Sequence, residues 1–219
     1  MPATILVGAQ WGDEGKGRVT DYFAERADLV VRYQGGNNAG HTIVVGEQRL
    51  ALSLIPSGVM YPGCVPVIAS GCVLDPKVLL DEIAMLTERD LDPSRLQVSA
   101  NAHLIMPYHR KLDAVIERYL GRHQIGTTKK GIGPAYTDKY ARQGVRLQDL
   151  FDPRIFRDKV EAVLEDKNKV LTRVYNQLPM DPGRVVDEYL GYADHLLPYV
   201  TDTSLLIWEA IRDGREVLF

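Results

Sequence analysis

Apolar positions fall into short runs early in the chain and into helical spacing between and after those runs. Ile5-Leu6-Val7, the run at 28–33 around Leu29-Val30-Val31, the segment 65–69 and the segment 96–99 are short and bounded by polar or turn residues, which predicts buried strands. Residues 18–26 carry apolar positions at helical spacing. Pro76 opens a helix to about Thr87 with Val78, Leu79, Ile83 and Leu86 on one face. A further helix over 107–120 places Leu112, Val115, Ile116 and Leu120 on its inner side. Strands alternating with helices predict an α/β fold around a mostly parallel sheet. Two exceptions interrupt the alternation. Residues 42–52 read as a hairpin turning near Gly46-Glu47, and Pro56-Ser57-Gly58 and Tyr61-Pro62-Gly63 read as turns.

The second part of the pattern is helical from 151 to 213. Pro153 opens a long helix to about Gln177, with Phe156, Val160, Val163, Leu164, Val170, Leu171 and Val174 inward. The prolines at 179 and 182 break it, and helices over 183–197 and 204–212 follow. Residues 215–219 read as the opening of another buried strand, so the expectation is a chain truncated after residue 219. With no linker in view, 1–219 reads as the N-terminal part of a single α/β nucleotide-binding enzyme domain carrying a mostly helical segment.

Composition narrows the function classes. The chain has 219 residues, 45% hydrophobic and 25% charged, with a net charge of -3. That balance suits a globular protein and gives no global basic surface for nucleic acid. No apolar run approaches membrane-spanning length. Two cysteines, Cys64 and Cys72, read as reduced core thiols, which fits a cytoplasmic protein.

Chemistry concentrates in three glycine-rich stretches. The first, Gly8 to Gly17, lies between the first strand and first helix, where backbone N–H groups and a helix N-terminus bind phosphate. Lys16 supplies a charge for a phosphate oxygen. The stretch departs from the usual phosphate loop: Gln10 stands at the first glycine position and Gly17 where a metal-binding hydroxyl would stand. It carries Asp13 instead, which reads as a metal ligand, a general base or both, or as a helix cap. The second stretch, Gln34 to Thr42, follows the second strand. Its His41 can donate a proton or hydrogen bond to developing negative charge, or be structural. Its Asn38 can present an amide to a substrate, or hold a turn. The third stretch, Ile125 to Arg142, combines hydroxyls, glycines and cations in the manner of a binding loop. Thr128 can bind a phosphate or be a plain loop residue; Arg142, by spacing alone, reads as a surface cation. The remaining histidines, His103, His109, His123 and His195, read as structural or solvated.

Gln10 to Gly17, Gln34 to Thr42 and Gly131 to Arg142, in that order, resemble the adenylosuccinate synthetase family, and the resemblance runs from residue 4 to the last residue. It implies GTP-dependent ligation of IMP and L-aspartate through a 6-phosphoryl-IMP intermediate, in purine biosynthesis. By this resemblance Asp13 is the base, His41 the acid, and Lys16 a third catalytic group. Gly12, Asp13, Glu14, Gly15, Lys16, Gly17, Arg18, Gly40, His41 and Thr42 surround GTP. IMP is met by Asp13 to Lys16, Asn38, Ala39, Gly40, His41 and Thr128. Asp13 and the main-chain oxygen of Gly40 ligate one Mg²⁺ per subunit. Arg142 reaches the IMP site of the neighbouring subunit of a homodimer. The chain departs from the family at Lys129, where Gly is more usual, and in length: family members are about twice as long, and their later half carries the guanine pocket and the aspartate loop. The 219-residue chain alone is therefore expected not to complete the reaction. Two other readings stand beside this one. A P-loop GTPase switch is disfavoured by Gly17 and by the lack of an Asn/Thr-Lys-x-Asp run. A non-catalytic dimerising fragment is the other.

Overall fold

The structure of the chain is a computed structural model that describes residues 3–10, 15–38, 40–45 and 48–219, and the side chains at 41, 43–45, 48 and 49 are outside that description. In chain order the elements are β1 (Ala3–Thr4), α1 (Lys16–Ala24), β2 (Leu29–Arg32), β3 (His41–Val45), β4 (Gln48–Leu52), β5 (Val65–Ile68), β6 (Val73–Leu74) and α2 (Pro76–Thr87). They continue through β7 (Gln97–Ser99), β8 (His103–Leu104), α3 (Pro107–Leu120), α4 (Ile132–Tyr140), α5 (Pro153–Arg173), α6 (Pro182–Leu190), α7 (Ala193–Leu196), β9 (Val200–Thr201), α8 (Thr203–Arg212) and β10 (Val217–Leu218).

Six strands form a parallel sheet in the order β1-β10-β2-β5-β7-β9. The hydrophobic runs explain its centre: Leu29, Val30 and Val31 of β2 and Val67 and Ile68 of β5 are buried, as expected of strands covered on both faces. β3 and β4 form the predicted antiparallel hairpin, with Thr42 opposite Ala51. Its turn at Gly46-Glu47 lies outside the described residues. β6 and β8 make a separate parallel pair.

The sequence pattern is corrected in three places. The first strand is Ala3–Thr4, not Ile5-Leu6-Val7; Ile5 and Val7 are 65% and 69% exposed. The ladder ends with the bond from Leu6 N–H to the Phe219 carbonyl at 2.7 Å. Second, the stretch 132–140 is the helix α4 rather than loop. Third, α5 ends at Arg173, where Val170 and Val174 are exposed, and the helix read over 183–197 is broken at Gly191-Tyr192 into α6 and α7. The apolar stretch at 215–219 is a buried strand as read, with Val217 and Leu218 inside, and β10 lies between β1 and β2, parallel to both.

Caps follow the local sequence. Asp75, Asp152, Asp181 and Asp202 each accept backbone N–H groups at the starts of α2, α5, α6 and α8, three of them with proline next in line. The helical segment packs on the sheet through Phe156, Val160, Leu164, Val186 and Tyr189, which join the main core with Leu79, Val98 and Leu104.

Candidate functional site

A parallel sheet delivers every strand-to-helix loop to its carboxyl edge, where open α/β sheets take their ligands. The loops after β1 and β2 both leave from that edge. Tyr33, just past β2, donates its hydroxyl to the Leu6 carbonyl of the first loop at 3.3 Å. Trp11 to Glu14 lie outside the described residues, so Gly12, Asp13 and Glu14 receive no structural description; the same holds for Ala39 and for the His41 side chain. Gly15 precedes α1 with φ +87°, a left-handed conformation that disfavours any side chain. α1 then starts at Lys16 with Gly17 and Arg18 in its first turn, and no acidic side chain occupies that turn. This is the polarity that attracts an anion. α1 packs beside β3, the strand that begins at His41 and carries the exposed Thr42.

The second loop is held from below. Arg32, ending β2, donates to the carbonyls of Gly36 and Ser53, and to that of Leu54 at 3.3 Å. Glu82 of α2, buried, accepts from the backbone N–H groups of Ser53, Leu54 and Ile55 at 2.6, 3.1 and 2.9 Å. A cation and an anion thus fix the chain after the hairpin and the loop before it. Asn38 and Gly40 remain exposed, while Gly36 and Asn37 are buried.

The third stretch is bound to the second through Lys130 and Tyr136, and to the turn at 70–71 through Tyr136 and Lys139. Lys130 Nζ donates to the Asn37 carbonyl at 2.8 Å. The Tyr136 hydroxyl accepts from Gly35 N–H at 2.7 Å and donates to the Gly71 carbonyl at 2.9 Å. Lys139 Nζ donates to the Ser70 carbonyl at 2.7 Å. Gly131 starts α4 with φ +80°, and a Cβ there would lie 2.8 Å from Arg110 N, so no other residue fits. Thr128 is exposed on the loop ahead of α4, and Lys129 adopts φ +57°. Arg142 is exposed beyond the other end of α4, roughly 14 Å of helix away from the loop contacts. The structure thus brings Lys130, Asn37 and Gly35 together and leaves Arg142 facing outward.

The histidines and cysteines behave as read. Cys64 and Cys72 are free and buried, and burial pushes each thiol up to about 11. His123 and His195 are exposed. His103 is buried, and burial together with the charges of Lys139 and Arg146 pushes its imidazole down to about 4. His109 is buried against Asp138. The periodic pattern missed Glu82, Asp113 and Glu117, all buried carboxylates on otherwise apolar helix faces. Their signal was available: each directly adjoins an apolar position of the inward stripe.

The comparisons with known proteins decide the family. The family model described as adenylosuccinate synthetase matches residues 5–219. The chain belongs to the adenylosuccinate synthetase family. The adenylosuccinate synthetase of Thermobifida fusca is 61% identical over 217 residues, which are 99% of this chain and 51% of that protein. That of Frankia alni is 59% identical over 218 residues, 100% of this chain and 51% of that one. The solved structure of fully ligated adenylosuccinate synthetase from Plasmodium falciparum superposes with a TM-score of 0.84 at 34% identity, covering 99% of this chain and 50% of that chain. The chain therefore spans about half the length of the adenylosuccinate synthetases it matches.

Proposed function

We propose that the natural polypeptide carrying these residues is a GTP-dependent ligase that joins IMP to L-aspartate, with residues 1–219 forming the N-terminal part of a single α/β domain. What carries the reading is the meeting of the glycine-rich stretches and their flanks at one sheet edge: Lys130 and Tyr136 of the third hold Asn37 and Gly35 of the second, and Tyr33, just before the second, donates to Leu6, just before the first. In this reading Asp13 removes the N1 proton of IMP. That makes the 6-oxygen nucleophilic toward the γ-phosphorus of GTP, and GDP departs. His41 and Lys16 meet the charge developing on the transferred phosphoryl group. The amine of aspartate then adds at C6 and phosphate leaves, because phosphorylation has turned a poor leaving group into a good one.

GTP lies along Gly12 to Arg18 and Gly40 to Thr42. IMP lies against Asp13 to Lys16, Asn38 to His41 and Thr128, with Arg142 entering from the second subunit of a homodimer. The exposure of Arg142 just beyond the end of α4 supports that last role. Asp13 and the Gly40 carbonyl would hold Mg²⁺: both are hard oxygen donors, and Gly40 is exposed. When bound, the ion neutralises charge on the phosphate oxygens. Among the described residues no cluster of three His, Cys, Asp or Glu side chains could hold a metal ion. Among those residues no helix is long and apolar enough to cross a membrane; the assignment of the reaction to the cytoplasm rests on the family alone.

The test is phosphate release by the natural polypeptide given GTP, IMP, aspartate and Mg²⁺. Release that requires IMP is expected, and Asp13→Asn is expected to abolish it with the fold intact. Release independent of IMP, or near-normal turnover of Asp13→Asn, overturns the assignment. The 219-residue chain alone is expected to form no adenylosuccinate.

A further inference from the structure

The loop 125–131 is gripped by two buried carboxylates one helical turn apart on α3. Glu117 Oε1 accepts from Ile125 N–H at 3.1 Å and its Oε2 from Gly126 N–H at 3.0 Å. Asp113 Oδ1 accepts from the Thr127 hydroxyl at 2.8 Å and its Oδ2 from Gly131 N–H at 2.8 Å. Four of the seven loop residues are thereby fixed by two side chains that are only 2% and 6% exposed. Burying two carboxyl groups one helical turn apart costs free energy, which the hydrogen bonds from the loop offset. An apolar pair at these positions would serve α3 better. The gain lies in the loop: its backbone is held at both ends, and Thr128, Lys129 and Lys130 are presented between the two grips. Lys130 crosses to the Asn37 carbonyl, and Asn37 is 3% exposed, its side-chain oxygen meeting no hydrogen-bond partner among the described residues. Residues 113 and 117 also border an open cavity of about 360 Å³ between α3, α4 and α5.

We infer that Asp113 and Glu117 are positioning residues that hold the 125–131 loop in its ligand-ready shape, so that Thr128 meets IMP and Lys130 ties this loop to the 34–42 loop. This rests on the assignment of Thr128 to IMP above. Neither carboxylate touches substrate; Glu117 acts through two backbone amides, and Asp113 through the Gly131 amide and the Thr127 hydroxyl. Glu117→Gln keeps the volume but replaces one acceptor oxygen with a donor that faces Gly126 N–H or Ile125 N–H.

The experiment has two arms. Hydrogen exchange in the purified natural polypeptide without ligand is expected to show Ile125 and Gly126 amides exchanging at least tenfold faster in Glu117→Gln, with Gly35 unchanged. In the steady-state assay Glu117→Gln is expected to raise KM for IMP at least tenfold and leave KM for GTP within twofold. Thr128→Ala added to Glu117→Gln is expected to cost less than the product of the two single effects, because both act on one contact. Unchanged exchange overturns the grip. Faster exchange with an unchanged KM for IMP, or strictly multiplicative effects, overturns the positioning role. If the unsubstituted polypeptide shows no IMP-dependent turnover, the functional reading above is what fails, and the exchange arm alone decides whether the grip exists. Should Glu117→Gln not fold, Thr127→Val, which removes only the hydroxyl held by Asp113, carries the same two readouts.

Discussion

Nε2 of His109 lies 2.9 Å from Oδ2 of Asp138, and both side chains are 1% exposed. Nδ1 of the same ring accepts from Met106 N–H at 2.9 Å, which leaves the proton on Nε2 and the imidazole neutral. Burial holds His109 below its ordinary range against the pull of Asp138. Burial also pushes the Asp138 carboxyl up, but the hydrogen bonds from His109 and Lys167 outweigh it and hold that carboxyl below 3.8. One aspartate on α4 thus ties the start of α3 to the middle of α5.

Asp138→Asn should destabilise the chain by about 3 kcal/mol at neutral pH, because it leaves Lys167 partly buried without its partner charge. Urea denaturation measures this, and a loss under about 1 kcal/mol contradicts it. The sign with pH follows from the depressed carboxyl. The ionised form contributes above its unfolded value of 3.8, and the contribution disappears as the pH falls through the lower folded value. The two proteins should therefore converge only in acid below pH 3.8.

His103 predicts a proton balance of the same sign at milder pH. Unfolded, it takes a proton near 6.5; folded, not until about 4, owing to burial and to Lys139 and Arg146. Unfolding therefore takes up a proton in this window, and stability falls as the pH drops from 6.5 toward 4. His103→Gln should make that slope shallower by about 1.4 kcal/mol per pH unit. Equal slopes in denaturation series at several pH values would rule the idea out.

Tyr136→Phe removes the hydroxyl that serves Gly35 and Gly71. The stranded Gly35 amide should cost about 2 kcal/mol of stability. The loop it holds carries Asn38 and His41, so IMP-dependent turnover should drop more steeply than a stability loss of that size explains at 25 °C. Full turnover with a lowered melting temperature would confine Tyr136 to a structural part.

Arg142→Leu should leave the fold unaltered, since the side chain is exposed. In the natural polypeptide it should weaken IMP binding at least tenfold with GTP binding within twofold. Calorimetric titration with each nucleotide separates these, and an unchanged IMP affinity removes the cross-subunit assignment.

Much of this was legible from residue order. The strands at 29–31 and 65–68, the helices at 76–87 and 107–120 and the hairpin around Thr42 follow from period and turn chemistry, which are local. What escaped was non-local. Nothing near Ile5 announces that its strand pairs with residues more than 210 positions later, so the apolar run was taken for the strand and Ala3–Thr4 was missed. The glycines and hydroxyls of 131–140 masked a helix, because Gly131 supplies a left-handed start that period counting does not register. Asp113, Glu117 and Glu82 were passed over for a related reason. A carboxylate beside an apolar stripe reads as solvated until the backbone amides that meet it are known.

The insertion of β10 between β1 and β2 has a consequence for how the molecule is made. During vectorial synthesis β2 can meet β5 after fewer than forty further residues, but every backbone partner of β1 arrives only with residues 217–219. Such distant pairing carries a large loop-closure cost and comes late. The strand that leads into the first glycine-rich loop is therefore docked late, so a nascent chain should secure β1 in the sheet only after residue 219 has left the ribosome.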